Sequence, residues 1–528
     1  MTRRKAWWLA GIFLFAIVAV MTVLFVIARN MIRSFQPMVH DEAVQYLRER
    51  FHCDVQLASL NVHLPKLSKL GLLLKHERGA VVRVDGAGLS MKLIGHADLP
   101  PLFAMRKFRF DVDLGTLTDK RKTVDQVVID GLEINLPPKQ ERTSSPGNTP
   151  APALSGGSTP NVLIKDVKIS GATLTLLPKD PRKKPLLFDV SNLRLTSVGV
   201  GTPMKYDAML SIPKPPGQVH SQGDFGPWEA DDPNSTPLGG SYTFNNADLG
   251  IFNGIAGILN SKGRFDGTLG AVHATGECTV PDFRLKMAGN RVPLWAHFDA
   301  LVDGTNGNTI LQPVKAKLGS TVFTTSGAVV RHGEQSAHTI DLKVNMPNGY
   351  IRDLLRLTTR QPPFMEGRLN LQSTIAIPPL TAKVKDKLLL DGTFQVSDAR
   401  FLKSSIQSQL DQLSRRGSGQ PQNQEIDQVV SDMGGAFHLQ NEMMTFSRLS
   451  FGVPGATVNL GGDYNMDRDT LNFHGTLKLV AKLSQTVTGW KHWALKPVDP
   501  FFEKNGAGTF LRIRVDGPTS HPHFGLDR

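Results

Sequence analysis

The chain is poor in cysteine. Of 528 residues only Cys53 and Cys278 carry a thiol, and neither belongs to a Cys-x-x-Cys pair, which excludes a zinc knuckle and a thioredoxin-type redox motif. Both read as buried small hydrophobes, in a chain that suits an oxidising compartment without needing disulfide staples. There is no G-x-x-x-x-G-K-[ST] phosphate loop, no G-x-S-x-G elbow and no H-E-x-x-H zinc helix, so the common nucleotide-driven and hydrolytic chemistries have no scaffold. Any transport must therefore run passively or draw its energy from a partner. The formal net charge is +13, but no Arg/Lys run with interleaved aromatics appears. The dispersed basic residues read as a solvated face suited to an anionic lipid surface rather than to nucleic acid.

What is present begins with a long apolar run. Residues 7–28, WWLAGIFLFAIVAVMTVLFVIA, hold no charge, and about 20 apolar residues suffice to cross a hydrocarbon core roughly 30 Å thick. The run is longer than the usual core of a signal peptide, and no small-x-small cleavage site precedes Arg29. Arg3, Arg4 and Lys5 precede it, whereas Arg29 and Arg33 are soon offset by Asp41 and Glu42. The positive-inside bias thus places residues 1–6 in the cytoplasm and the rest on the far side of the membrane. Trp7 and Trp8 fall where an interfacial aromatic belt would lie, and Phe13, Phe15, Leu24 and Phe25 fill the span as its anchor.

Beyond the span, residues 38–51 space Val39, Ala43, Tyr46, Leu47 and Arg50 as a short amphipathic helix. The 49 glycines and 34 prolines, scattered among alternating apolar runs, predict many short strands joined by turns. VQLASLNVHL, VVRVDG, KFRFDVDLGTL, VVIDGLEINL, VKISGATLTLL and LRLTSVGV are such runs. Residues 137–160, rich in Pro, Ser, Gly and Thr, read as a flexible loop or linker, and 213–237 as a second irregular stretch. From Leu238 the alternation is cleaner, with short helices expected at 247–259, 350–357 and 402–415. Leu369, Leu371, Ile375 and Ile377 share one face of a strand, as do Leu471, Phe473, Leu477 and Leu479, while Leu511, Ile513 and Val515 lie opposite Arg512 and Arg514. Such strands are dry on one face and wet on the other.

Other candidate chemistry is thin. Asp111 and Asp113 are two apart on one strand and share its polar face. His521 and His523 lack a third ligand. The Gly86/Gly88 and Gly506/Gly508 pairs lack the third glycine of a dinucleotide loop. No catalytic residue, metal or cofactor is expected.

Several blocks in order resemble the AsmA-like family of Gram-negative envelope proteins. They are GSYTFNNADLGIFNGIAGILNSKGRFDGTL at 240–269, GECTVPDFRL at 276–285, LLLDGTFQVSDARFLKSSIQSQLDQLS at 388–414 and LGGDYNMDRDTLNFHGTLKL at 460–479. The closing segment from Trp490 is similar to the family's C-terminal signature, with Pro522 and Phe524 matching G-x-x-x-x-P-x-F at Gly517 to Phe524. Before Leu238 the likeness is one of architecture. The resemblance implies a mainly β fold: an N-terminal transmembrane helix followed by an elongated antiparallel, groove- or taco-like sheet with a few short helices, related to repeating-β-groove lipid carriers. It further implies a single-pass bacterial inner-membrane protein with its bulk in the periplasm, acting in phospholipid movement or outer-membrane biogenesis.

On that basis 29–136 is an N-terminal periplasmic β-rich region, 161–237 a β-rich middle region and 238–528 the AsmA-like groove region. On the order of 25 strands at roughly 4.8 Å each would reach about 120 Å if all joined one sheet. The leading expectation is passive binding or transfer of phospholipid or another acyl lipid, with Leu369, Leu371, Ile375, Ile377, Leu471, Phe473, Leu477, Leu479, Leu511, Ile513 and Val515 lining the groove. Sheltering an acyl chain of some 15 methylenes from water is worth roughly 12 kcal/mol. The competing expectation is an envelope scaffold or assembly factor that touches outer-membrane proteins without carrying lipid.

Overall fold

The computed structural model describes residues 37–51, 53–63, 81–94, 99–113, 122–136, 162–177, 185–199, 201–229, 232–304, 306–331, 338–379, 384–503 and 508–527. The expected span at 7–28, with Trp7, Trp8, Phe13, Phe15, Leu24 and Phe25, lies outside them. Among the described residues no helix is long and apolar enough to cross a membrane. The protein is mainly β, and twenty-four of its strands belong to one mostly antiparallel sheet with few short helices. The chain divides into two compact units, the first of residues 1–248, 260–275 and 302–307, the second of 249–259, 276–301 and 308–528.

Unit 1 begins with helix α1 (Pro37–Phe51), whose Ala43 and Leu47, four residues apart, point into the core. Strands β1 (Cys53–Gln56) and β2 (Ser59–His63) both pair with β3 (Val81–Leu93). The run 55–64, expected as one strand, is thus two. The break comes at Leu57 and Ala58, opposite Gly88, whose left-handed φ of +65° bends the partner strand. Then come β4 (Phe103–Asp113), β5 (Lys122–Leu136), β6 (Val162–Leu176), β7 (Leu186–Gly199), β8 (Met204–Pro213), β9 (Pro216–Phe225) and β10 (Pro237–Asp248), each paired with the next. All these pairs are antiparallel except β5 with β6, which is parallel from Lys122↔Val162 to Leu136↔Leu176.

One expected loop is partly strand. Pro216–Phe225, inside the irregular stretch 213–237, pairs with β8 in a tight hairpin turning at Lys214 and Pro215. Its prolines cluster at the turn and strand ends, where no ladder donor is needed.

The inner face of unit 1 is closed. Val112, Val124, Val127, Ile129, Leu132, Val162, Ile164 and Val167 have no exposed surface and share one core with Ala43 and Leu47 of α1. The outer face is ionic, with Arg83 bonded to Asp111 at 2.9 Å, Arg109 to Asp85 at 2.6 Å and Arg194 to Asp166 at 2.8 Å across neighbouring strands. Dispersed basic residues thus become solvated cross-strand pairs.

The stretch 247–259, expected as a helix, is instead a 3-10 turn at Leu249–Ile251 followed by strand β11 (Ile255–Ala256) and the start of β12 (Ile258–Thr268). Gly250, Gly254 and Gly257 each weaken a helix by about 1 kcal/mol, and Gly254 and Gly257 adopt φ of +96° and +138°, incompatible with one. Next come β13 (Ala271–Val280), β14 (Arg284–Leu285, which pairs with β11 as a separate small sheet) and β15 (Leu294–Val302).

The rest of unit 2 is a meander of β16 (Thr309–Leu318), β17 (Thr321–Val330), β18 (Thr339–Tyr350), β19 (Met365–Ile377), β20 (Leu389–Phe401), β21 (Ser431–Gln440), β22 (Met443–Val453), β23 (Ala456–Asn465), β24 (Thr470–Leu479), β25 (Thr509–Pro518) and β26 (His523–Leu526). Each pairs antiparallel with the next. Helix α2 (Ile351–Thr358) joins β18 to β19, α3 (Val384–Lys387) precedes β20, and α4 (Ser404–Gly417) joins β20 to β21. Helices α5 (Trp490–Leu495) and α6 (Asp499–Phe502) lie between β24 and β25. Helices α2 and α4 fall within two residues of their expected bounds, the ordinary uncertainty of helix ends.

Candidate functional site

Register decides which side chains share a face. Leu369 of β19 stands opposite Val396, which continues through Met433, Phe451, Val458 and Leu477 to Leu511 of β25. Two residues along, Leu371 leads through Phe394, Gly435, Leu449, Leu460 and Gly475 to Ile513. A third row runs from Ser373 through Gly392, Phe437, Phe446, Gly462 and Phe473 to Val515, and Ile375 and Leu471 share a fourth. Ile377 stands opposite Ile340, and Leu479 opposite Ala456. All eleven residues expected to line a groove therefore lie on one face of one sheet.

Bulges between Glu366 and Arg368, Val396 and Ala399, and Phe446 and Leu449 shift the count of residues without breaking the face, because each strand regains its apolar phase beyond the bulge. The opposite face carries Asn370, Gln372, Asp391, Gln395, Asn459, His474, Arg512 and Arg514, all exposed.

Glycine and phenylalanine interleave in the middle rows. A Cβ at Gly392 would lie 2.7 Å from Cζ of Phe437, so the ring rests on bare backbone. At Gly462, with φ of +152°, a Cβ would collide with the carbonyl oxygen of Asn472. Across that glycine the rings of Phe446 and Phe473 sit 5.8 Å apart, and Phe394 touches both Phe437 at 6.3 Å and Phe446 at 6.5 Å. Four rings thus form one continuous band over β20 to β24, at separations typical of favourable aromatic pairs.

The face is only partly covered. Leu371, Ile375, Ile377, Phe394, Phe437, Phe446, Leu449, Leu460, Leu471, Leu477, Leu511 and Ile513 are half-buried, whereas Leu369, Val396, Phe473, Leu479 and Val515 are buried. Part of the cover comes from one end. Because alternate strands of a meander run the same way, the connections 319–320, 351–364, 402–430, 454–455 and 480–508 all leave the same end of the ladder. There Leu354 and Leu355 of α2 pack on Met346, Leu369 and Val396, and Leu413 of α4 packs on Val453, Ala456 and Leu479. Among the described residues, β16 to β26 make their main backbone contacts with their hydrogen-bonded neighbours.

Three buried carboxylates fasten these connections. Asp353 of α2 accepts the Ser320 N–H at 2.8 Å and the Thr321 hydroxyl at 2.9 Å. Asp411 of α4 accepts the Val429 N–H at 2.9 Å and the Gln407 amide at 3.0 Å. Asp499 accepts the Ser484 N–H at 2.8 Å and its hydroxyl at 2.7 Å. Burial pushes the Asp411 and Asp499 carboxyls up, but the donated hydrogen bonds outweigh it and hold both below the ordinary value. The sequence does not single out these acids; each is a charged residue in a connection between strands.

The remaining candidates gather nothing. Asp111 is occupied by Arg83, and His523 lies 3.7 Å from Asp516 on an exposed strand. Neither Cys53 nor Cys278 forms a disulfide among the described residues. Among the described residues no group of three or more His, Cys, Asp or Glu side chains is placed to hold a metal ion. The chain matches no protein-family model, no curated protein and no solved structure.

Proposed function

We propose that the chain binds acyl lipid on the apolar face of β19 to β25 and passes phospholipid passively through the bacterial envelope in support of outer-membrane biogenesis. The face acts as a groove, and the run 7–28 acts as a single-pass inner-membrane anchor with the bulk of the chain in the periplasm. The observation that carries this reading is an apolar face repeated at every second residue over seven strands, many of whose side chains are only partly buried. Water is a poor partner for that surface, and an acyl chain laid along the rows would recover about 0.8 kcal/mol per methylene covered. The polar outer face keeps such a carrier soluble while it holds its cargo. Without a phosphate loop, the free energy for net movement must come from the lipid gradient or a partner.

The test places a photo-crosslinking amino acid at Leu460 or Ile513 of the full chain in intact cells, with Asn459 and Arg512, the outward neighbours, as controls. Phospholipid adducts are expected at the first pair and not at the second. Absence of adducts at Leu460 and Ile513, or equal labelling of all four sites, overturns the carrier reading; protein adducts in their place would support an envelope scaffold.

A further inference from the structure

The end of unit 2 closed by helical connections is apolar and cationic on its outside. Val480 follows directly on Leu479, where β24 ends, and is 75% exposed; Trp493 of α5 is 71% exposed. An indole this open adds little to the core, yet its ring is held in place. Nζ of Lys496 lies 4.2 Å from its centroid, and the His492 ring meets it edge-on at 6.0 Å. His492 is itself fixed by a hydrogen bond from Nδ1 to the Ser484 carbonyl at 2.9 Å.

Lysine flanks the indole in sequence and in space, with Lys496 over its ring and Lys491 two residues before it. Lys491 and Lys496 are exposed on the same stretch. Of the acids on the same stretch, Asp499 is buried and turned onto Ser484, and Glu503 is occupied by Lys482 at 2.9 Å. Beside the ring is a shallow cleft lined by Gln420, Gln422, Asn423, Thr488, His492 and Trp493, with no acidic residue in its wall.

We propose that this end of unit 2 docks on the headgroup layer of an anionic phospholipid bilayer. Trp493 and Val480 enter the interface, and Lys491 and Lys496 meet lipid phosphates. An amphipathic indole with one lysine over its ring and another exposed two residues away fits that layer, where apolar and wet environments meet and the surface potential is negative. A neutral protein groove would leave the lysines unanswered. The site lies beside the closed end of the apolar face, but the proposal stands whether or not that face carries lipid.

The test uses the full chain in nanodiscs of phosphatidylcholine, mixed with vesicles of either phosphatidylglycerol or phosphatidylcholine, and reads hydroxyl-radical oxidation of Trp493 by mass spectrometry. Phosphatidylglycerol vesicles should lower Trp493 oxidation about threefold at low salt, with recovery near ~0.5 M salt, where screening acts over roughly 4 Å. Phosphatidylcholine vesicles should have no effect. Phe524 of β26, 76% exposed, should be oxidised equally throughout. The double variant K491E/K496E, on the surface and outside every core contact described above, should lose the protection while keeping the wild-type melting curve. Equal protection by both vesicle types, protection that survives in the double variant, or protection by an envelope protein extract without any by vesicles overturns the proposal. Lipid adducts at Leu460 report separately on the carrier reading, so the two can fail independently.

Discussion

Asp411 and Asp499 are anions where the surroundings are dry, and they persist because each is met by donors fixed in the backbone it fastens. In the folded chain both carboxyls bind a proton less readily than in the unfolded chain. Their stabilisation is therefore complete above the ordinary carboxylate range near pH ~4 and is lost as the pH falls through the folded-state values. Asp499→Asn should cost about 1–2 kcal/mol at neutral pH by weakening charge-assisted hydrogen bonds. It should also shrink the loss of stability as the pH falls below about 4. Thermal melts of variant and wild type across that range check both effects. In the sequence nothing marks these acids as buried, since burial of a single connection residue leaves no periodic trace. The alternating residues Leu511, Ile513 and Val515 against Arg512 and Arg514 were legible, because a pleated strand sends successive side chains to opposite faces.

Helix α4 shows how a connection becomes a cap. Gln407 donates to the Val429 carbonyl at 2.9 Å and accepts the Phe401 N–H at 3.0 Å, Ser414 donates to the Pro454 carbonyl at 2.8 Å, and the Ala481 N–H donates to the Gly417 carbonyl at 2.8 Å. The helix is thus tied to four neighbouring segments while Leu413 covers Val453, Ala456 and Leu479. Leu413→Ala should cost about 1–3 kcal/mol, and amide hydrogen exchange should quicken at Ala456 and Leu479 while remaining slow at Ile129 and Ile169 in unit 1. Faster exchange in both units alike would contradict a local cap. The helix itself was readable from its spacing, as was α2. The stretch 247–259 was misread because apolar spacing suggested a helix while its three glycines favoured a turn and a short strand. The hairpin at 204–225 was half-missed because its prolines mark the turn and strand ends and mimic a loop.

Across the whole chain, two units write the same period-two pattern and put it to different uses. Unit 1 buries its face to no exposure at Val112, Val124, Val127 and Ile129, with α1 inside the same core; unit 2 leaves Leu371, Leu460 and Ile513 only partly buried. If the carrier reading holds, crosslinking residues at Ile129 or Ile169 should give no lipid adduct under conditions where Leu460 does; labelling of all three alike would remove the distinction between the units. The mainly β class, the mostly antiparallel pairing of short strands, the shared face of the eleven predicted residues and the poverty of catalytic motifs were set by sequence, because strand periodicity and turn residues are local properties. Whether an apolar face is closed or open was decided only by tertiary structure. An alternating strand reads the same under a helix as under water, and what lies over it comes from residues far along the chain.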